Sequence, residues 1–291
     1  MKKISPKVRN IILAVALVIA ALSYLYENCI RKPVTVDGEI VVHAIDVGQG
    51  DSTLIMAPEG NLLIDAGTNS SENCLLAYLD TQGIETIDYF ILTHPHEDHI
   101  GGADAVFENY TVKNVIMTFF TSTSNAYDAV LDALKENVNT NVIECEAGAE
   151  YSVGEMTIKL LGPDPDDLGD DANNSSIITK ITYGESSLMF TGDAEYGVEA
   201  RLISRWGNEL DCDFMKMGHH GSSTSNSDAF MDMVSPYMAV ISCGEDNSYG
   251  HPHREIVAML KEKNIEYYRT DKAGSVTFVC DGEKIYKTEE K

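Results

Sequence analysis

Six consecutive residues of this chain concentrate metal-binding chemistry. The hexapeptide His94–His99 holds three imidazoles and two carboxylates, and it directly follows an apolar run. Side chains two residues apart on extended backbone point the same way, so His94 and His96 can hold one ion. Asp98 and His99 are adjacent and diverge, so they can face a second ion. A helix cap needs one short polar residue and no histidine, so this spacing favours two metal sites over a simple cap.

Further groups of polar residues follow other apolar, strand-like runs. Thr191-Gly192-Asp193 ends one such run, and a carboxylate beside a glycine at a strand end can reach into a site and bridge two cations. Gly218–Ser222 places two adjacent histidines between glycines, which indicates close backbone approach and at least one metal ligand. Gly250–His253 opens a predicted helix, whose N-terminus favours anions. We expect these groups to complete the site begun by the hexapeptide.

Three aspartates lie near the ends of the remaining predicted strands. Asp46 and Asp51 flank a glycine-containing turn, and Asp65 follows the apolar run Asn61–Ile64. Short carboxylates in such positions can accept hydrogen bonds from metal-ligating imidazoles or stiffen the loops that carry them. We therefore expect Asp46, Asp51 and Asp65 to support metal ligands rather than to bind metal themselves.

Alternating elements along the chain would position these groups. Apolar runs of strand length precede the hexapeptide, Asp193 and the histidine pair, and turn-forming residues separate the runs. Strands dominate each half of residues 39–291, and helices recur between them. This order predicts an α/β (α+β) fold in which two sheets pack face to face with helices outside.

Residues 1–32 differ from the rest of the chain. An uncharged apolar run, Ile11–Tyr26, follows four basic residues and precedes two more. This asymmetry predicts an uncleaved, single-pass signal-anchor helix whose N-terminus stays in the cytoplasm. A cleaved signal peptide is the alternative, because the run is slightly short for a spanning helix, and a buried N-terminal helix is a third reading. The first two readings place a linker at 33–38 and one catalytic domain at 39–291 outside the cytoplasm, anchored at the cell membrane or secreted.

The chain is strongly acidic, with a formal net charge of -25. Residues 33–291 carry 15 Lys and Arg against 45 Asp and Glu, a net charge of -30. Nucleic-acid affinity depends largely on basic side chains that neutralise phosphates. The composition therefore disfavours tight binding of long DNA and is more compatible with a small or cationic substrate.

An ordered set of motifs along residues 39–280 resembles the metallo-β-lactamase fold superfamily. The set is Asp65-Ala66-Gly67, His94-x-His96-x-Asp98-His99, Thr191-Gly192-Asp193 and His219. Four further segments resemble the hydrolase domain of the ComEC/Rec2 DNA-uptake proteins. These segments are Asp46–Ser52, Asn173–Ser176, His219–Ser222 and Gly250–His253. Related anchored or secreted hydrolases, including a teichoic-acid phosphorylcholine esterase, look similar.

The resemblance implies a four-layer αββα sandwich with two divalent metal ions between the sheets. His94 and His96 would bind the first ion, and Asp193 would bridge both. Asp98 and His99 would bind the second ion, with His219 preferred over His220 as the added ligand.

One part of the family pattern is missing from this chain. Many members of the superfamily supply a third histidine to the first ion, but here that region reads Asn173-Asn174. The first ion would then be completed by water or by an asparagine amide. Oxygen-richer ligation suits manganese better than an all-histidine set does, and the choice between zinc and manganese stays open.

The resemblance implies a metal-dependent hydrolase, specifically a dinuclear phosphodiesterase that uses a metal-bridging hydroxide. Asp98, His220 and His251 are the expected catalytic side chains, and Ser222 and Asn174 are expected to contact the substrate. Lactone or β-lactam hydrolysis on the same fold is one alternative, and a non-catalytic, tethered metal-binding protein is another. With one apolar run the chain is not expected to form a DNA channel, so a small or envelope-derived diester is favoured over long nucleic acid.

Overall fold

The computed structural model describes residues 38–118, 120–164 and 171–288. The predicted N-terminal anchor, residues 1–32, and nearly all of the predicted linker lie outside these ranges. Within the described residues, no helix has the length and apolar character needed to cross a membrane.

Aliphatic and aromatic residues dominate the strands, because such side chains pack well on a pleated, half-buried surface. The strands are β1 Ile40–Ala44, β2 Thr53–Ala57, β3 Gly60–Ile64, β4 Thr86–Leu92, β5 Thr111–Met117, β6 Asn141–Glu144, β7 Glu150–Val153, β8 Met156–Gly162, β9 Ile178–Tyr183, β10 Ser186–Phe190, β11 Phe214–Lys216, β12 Met238–Ile241, β13 Glu266–Arg269, β14 Val276–Cys280 and β15 Ile285–Lys287. One sheet has the order β15-β14-β1-β2-β3-β4-β5-β6, and the other has the order β13-β12-β11-β10-β9-β8-β7.

The helices lie within or between the strand-rich halves. They are α1 Glu72–Thr81, α2 Glu97–Ile100, α3 Ala103–Asn109, α4 Asn125–Glu136, α5 Tyr196–Trp206, α6 Asp228–Val234, α7 Arg254–Glu262 and α8 Thr270–Ala273. The short helix α8 and strand β7 were not predicted. Both are only four residues long, which is too short for a hydrophobic period to show in the sequence.

Neighbouring residues of one strand enter different hydrophobic cores. In β3, Leu62 packs between the two sheets, whereas Leu63 packs under helices α1, α3 and α4. In β10, Phe190 packs between the sheets, whereas Met189 packs under helices α5, α6 and α7. Successive side chains of a strand point to opposite faces, so each sheet is covered on both sides. This arrangement confirms the two face-to-face sheets with helices outside.

Parallel pairing brings the polar segments to one edge of the sandwich. Strands β3 and β4 are parallel, as are β10 and β11. Asp65 and the hexapeptide follow β3 and β4, while Asp193 and the turn Gly218–Gly221 follow β10 and β11. The carboxyl ends of neighbouring parallel strands meet at the same edge, so side chains from both sheets converge there.

Candidate metal centre

The first half of the hexapeptide forms a pair of imidazoles. His94 Nε2 and His96 Nδ1 lie 3.0 Å apart, so the two rings present nitrogens to one point. His94 is buried, and burial lowers the pKa of its imidazole well below the usual range. A neutral imidazole keeps a free lone pair, so His94 is ready to act as a metal ligand. The structure therefore brings His94 and His96 together as the sequence predicted.

The second half of the hexapeptide joins residues from the other sheet. Asp98, His99, Asp193 and His220 each offer one ligand atom, and these atoms all lie within 4.8 Å of one another. His99 Nε2 is 3.2 Å from Asp193 Oδ1, and His220 Nε2 is 3.2 Å from Asp98 Oδ2. His99 Nε2 and Asp193 Oδ1 are buried, yet neither makes a well-directed hydrogen bond within the described residues. Buried polar atoms are seldom left in this state, and a cation between them would satisfy both.

The electrostatics of this group also indicate a place for a cation. Burial works against a charged His220, but the carboxylates of Asp193, Asp51 and Asp98 outweigh burial and raise its pKa to about 10. Burial likewise opposes a charged His99, yet Asp193 and Asp65 raise its pKa well above the usual range. Protons on these two imidazoles offset a local excess of carboxylate charge. Divalent cations would offset the same excess, so the donor set and its charge fit a metal centre.

Asp65 orients the His99 ligand from behind. Its Oδ2 accepts a hydrogen bond from His99 Nδ1 at 2.7 Å, and Thr93 donates to both of its oxygens, from the backbone N at 2.8 Å and from Oγ1 at 2.7 Å. With Nδ1 occupied, His99 Nε2 faces the metal group. Asp65 adopts φ 57°, a left-handed conformation that aspartate tolerates better than most residues. Asp65 therefore lies behind the His99 ring, at the nitrogen that faces away from the metal group.

The two adjacent histidines occupy a turn in which both adopt left-handed backbone, with φ 49° at His219 and 54° at His220. His220 turns inward, where its Nδ1 donates to the Ser242 carbonyl oxygen at 3.0 Å and its Nε2 faces the metal group. His219 is partly exposed, with Nε2 3.5 Å from Asp193 Oδ2. The compact group therefore contains His220, although the sequence analysis preferred His219. Two successive left-handed residues direct adjacent side chains differently, and sequence spacing does not reveal that conformation.

A cavity of about 530 Å³ opens over these residues. Besides metal-group members, its walls include Gln49, Asn173, Tyr249 and His251. Burial, together with His220 and His219, lowers the pKa of His251 to about 4, so its imidazole is neutral at physiological pH. No lysine or arginine from the described ranges lines this cavity.

The side chains of three predicted site residues lie away from both the metal group and the cavity walls. Asp46 is exposed, and its carboxylate accepts a hydrogen bond from the Gly48 amide next to it. Ser222 is buried, and its hydroxyl accepts a hydrogen bond from the Thr224 amide. Asn174 Oδ1 accepts from the Glu195 amide at 3.2 Å. The structure brings none of these three side chains to the cavity, because each is engaged by nearby backbone.

Two residues that the sequence analysis did not single out lie beside these ligands. Asn173 lines the cavity, and its Oδ1 is buried without a hydrogen-bond partner in the described part of the chain. Lys216 is buried beside Asp51 and forms an ion pair with it. A single lysine inside the apolar strand β11 was the available signal for Lys216. Nothing in the sequence distinguishes Asn173 from Asn174.

Comparisons with known proteins agree with this geometry. Residues 45–120 match the family described as the metallo-beta-lactamase superfamily. The chain carries a metallo-beta-lactamase domain. ComE operon protein 3 of Bacillus subtilis is 31% identical over 255 residues, which cover 81% of this chain and 32% of that protein. Recombination protein 2 of Haemophilus influenzae is 30% identical over 240 residues, which cover 81% of this chain and 28% of that protein.

Both relatives are ComEC/Rec2-type competence proteins, which confirms the predicted resemblance. The chain spans about a third of the length of these two relatives. The metallo-beta-lactamase domain also has the fold of YhfI from Bacillus subtilis, with a TM-score of 0.52 and 13% identity over 79% of this chain and 96% of that one. The domain thus combines a hydrolase fold with a candidate two-metal site of Asp and His side chains.

Proposed function

We propose that this protein is a dinuclear, metal-dependent phosphodiesterase. The observation that supports the proposal most directly is the convergence of two ligand sets at one cavity. His94 and His96 would hold the first ion, and Asp193 would be shared between the two ions. The second ion would be held by Asp98, His99 and His220 together with Asp193. When bound, two divalent ions, zinc or manganese, supply an activated water and neutralise charge that develops on a phosphoryl group.

We further propose that Asn173 completes the first site in place of the missing histidine. Its Oδ1 is buried at the cavity wall and lacks a hydrogen-bond partner in the described residues. An amide oxygen is a hard, neutral ligand that divalent cations accept. Asn173 therefore supplies the oxygen donor that the sequence analysis assigned to an unspecified asparagine amide or to water.

His251 is suited to contact the substrate or its leaving group. The side-chain Oε1 of Gln49 accepts a hydrogen bond from the Gly244 amide at 3.1 Å, which directs Gln49 Nε2 toward His251 Nδ1 at 3.4 Å. With Nδ1 accepting, the neutral imidazole carries its proton on Nε2. His251 can therefore donate a hydrogen bond within the cavity, either to a phosphoryl oxygen or to the departing oxygen.

The cavity favours a small diester over a long nucleic acid. Its described lining lacks lysine and arginine and includes Glu97, and residues 33–291 carry a net charge of -30. A polyanion that extends beyond the metal ions would meet a repulsive surface without phosphate-neutralising partners. We propose a small or envelope-derived phosphodiester as the substrate, in which the ions neutralise the single diester charge.

A double variant tests the proposal. Replacing both His96 and Asp98 by Ala removes one ligand from each set, so metal content and turnover of bis(p-nitrophenyl) phosphate should both be lost. Glu97→Gln lies in the same hexapeptide and keeps the oxygen that accepts from the Asn69 amide at 2.8 Å, so its metal content should match the wild type. Undiminished diester turnover by the double variant would refute the mechanism.

A substrate panel tests the reaction class. Zinc- and manganese-loaded protein should hydrolyse bis(p-nitrophenyl) phosphate faster than nitrocefin and should cleave single-stranded DNA poorly. Preferential nitrocefin turnover would favour the lactone or β-lactam alternative. Near two ions per chain without turnover of any substrate would favour a non-catalytic binding protein.

We also propose that residues 1–32 tether the domain outside the cytoplasm. The support is the apolar run with its asymmetric basic flanks. Membrane fractionation and protease accessibility of intact cells test this: the chain should be found in the membrane fraction, and external protease should digest its domain. A protease-protected, carbonate-extractable chain would contradict the tethering.

A further inference from the structure

Lys216 places a buried positive charge directly behind the metal group. It is the last residue of β11 and is 3% exposed, and its ammonium pairs with the Asp51 carboxylate. Lysine is almost never buried this completely unless a partner neutralises it. In the register of β10 against β11, Phe190 pairs with Lys216. Phe190 lies three residues before Asp193 in the chain. The Lys216 ammonium therefore lies at the same sheet edge as Asp193 and His220, which follow strands β10 and β11.

Asp51 connects this lysine to the segments that carry the ligands. Its Oδ1 lies 3.4 Å from His220 Nδ1. Its backbone N donates to the Asp98 carbonyl oxygen at 3.0 Å, and its own carbonyl oxygen accepts from the Gly67 amide at 2.8 Å. A single residue thus contacts one ligand ring and the backbones of two ligand-supporting loops.

The lysine supplies the counter-charge for Asp51. The Lys216 ammonium and the Asp51 carboxylate are in direct contact, and both residues are almost fully buried. Opposite charges that are buried together offset the cost of removing each from water, so each residue fixes the position of the other.

Two other roles for the lysine are disfavoured by its contacts. Lys216 is absent from the cavity walls, so it is not placed to touch a substrate. Asp51, Asp65 and His99 form a second compact group of potential metal ligands. However, Lys216 occupies Asp51 Oδ2, and the Asp65 oxygens already accept from Thr93 and His99. The ammonium thus stands where another cation would otherwise bind.

We infer that Lys216 and Asp51 form a positioning pair for the ion held by Asp98, His99, Asp193 and His220. The ammonium fixes Asp51, whose carboxylate lies against the His220 ring and whose backbone amide donates to the Asp98 carbonyl oxygen. These contacts hold His220 and Asp98 so that their ligand atoms converge before an ion arrives. Neither residue of the pair touches the substrate. The inference rests on the proposed function, because it assumes that this group binds a metal ion.

Three variants test the pair: Lys216→Met, Asp51→Asn and the neutral pair that carries both changes. Each single variant should bind manganese 10–100-fold more weakly than the wild type, because losses of this size follow when the groups that orient metal ligands are removed. The neutral pair should lose no more affinity than either single variant, since both changes break one interaction. Its melting temperature should exceed those of the single variants, because it leaves no buried charge unpaired.

The measurements are metal titration calorimetry, thermal melting of metal-free protein, and the visible spectrum of the cobalt-substituted protein, which reports the ligand geometry. Lys263→Met is the matched control, because Lys263 pairs with Asp232 and Asp228 away from the ligands. Its manganese affinity should equal that of the wild type. Asp51→Glu keeps the charge but moves the carboxylate, so a folded Asp51→Glu variant should also bind metal more weakly.

The outcomes separate this inference from the proposed function. Wild-type affinity in a folded neutral pair, or in a folded Asp51→Glu variant, would show that the pair only stabilises the fold and would overturn the inference alone. A wild-type protein that binds no divalent ion would instead contradict the proposed function, and the inference would fall with it.

Discussion

Asp65 Oδ2 accepts a hydrogen bond from His99 Nδ1 at 2.7 Å, and this contact decides which nitrogen His99 presents to the metal group. Asp65→Asn keeps the size of the side chain, and asparagine tolerates the left-handed φ of 57° at this position. The charge behind His99 is lost, so we expect manganese or zinc affinity to fall 10–100-fold. Metal titration calorimetry measures the change.

Asp46→Asn is the matched control for Asp65→Asn. Asp46 is exposed, its carboxylate accepts from the nearby Gly48 amide, and its backbone amide donates to the Ser275 hydroxyl at 2.9 Å. It lies outside the metal group, so the same change there should leave metal affinity unaltered. Equal losses in the two variants would mean that overall charge, rather than the orientation of His99, governs binding.

His251→Ala should lower turnover without removing metal. The imidazole lines the cavity and is held by Gln49, outside the two ligand sets. A positioned proton donor contributes roughly 100-fold or more to rate, so kcat for a diester should fall by at least that factor. Steady-state kinetics and metal analysis on the same sample check both parts of the prediction.

His253→Ala provides a control two residues away. His253 Nδ1 accepts from the Ser223 amide at 2.9 Å, and the ring is absent from the cavity walls. Its kcat should stay within a few-fold of the wild type. A His251→Ala variant with unchanged kcat would remove His251 from the reaction.

Local sequence patterns were sufficient for the part of the site that is contiguous. The hexapeptide is carried by one strand end, so the spacing of His94, His96, Asp98 and His99 already fixed their grouping. Asp193 followed from the same reasoning about strand ends. The αββα layering also followed, because alternating strands and helices leave few ways to bury both faces of each sheet.

The sequence alone did not show which of two adjacent identical residues faces the site. His219 and His220 differ in role because of two left-handed backbone conformations, and Asn173 and Asn174 differ because Asn174 is taken by the Glu195 amide. Lys216 was missed for another reason. Its partner, Asp51, is 165 residues away in the chain, so only the folded structure shows that the two side chains are in contact.

The protonation state of Glu199 makes the stability around the turn Gly218–Gly221 depend on pH. This buried carboxylate accepts hydrogen bonds from the Asn226 and Ser227 amides, and Asn226 Oδ1 accepts in turn from the Gly218 amide at 2.7 Å. Burial is the main cause of the raised pKa of Glu199. The folded protein therefore binds this proton more tightly than the unfolded chain does. The stabilisation is full below the ordinary pKa of 4.5 and is lost as pH rises through the folded pKa.

Glu199→Gln removes this titration while keeping one hydrogen-bond-accepting oxygen. We expect the free energy of unfolding of the wild type, minus that of Glu199→Gln, to fall as pH rises above 4.5 and then to level off. Urea unfolding of metal-free protein between about pH 4 and pH 8 measures the difference, and titrations common to both proteins cancel. A difference that grows with pH would contradict a raised pKa at Glu199.

Asn173→Ala should weaken the first metal site selectively. Its buried Oδ1 is the candidate third donor beside His94 and His96, so its removal should lower the affinity for one of two ions by roughly tenfold. Competition titration with a metal-sensitive dye resolves the two binding steps. The ion held with His220 should bind as in the wild type, because Asn173 is not a member of that ligand group.

Asn174→Ala is the neighbouring control. Asn174 Oδ1 caps the Glu195 amide before helix α5, so its loss should cost about 1 kcal/mol of stability and leave both metal affinities unchanged. Asn173→His offers the opposite test, since it restores the histidine that many members of the superfamily place shortly before the strand that ends at Thr191-Gly192-Asp193. It should tighten the first site for zinc more than for manganese, because imidazole suits zinc. If Asn173→Ala and Asn174→Ala affect metal binding equally, then neither amide completes the first site and water does.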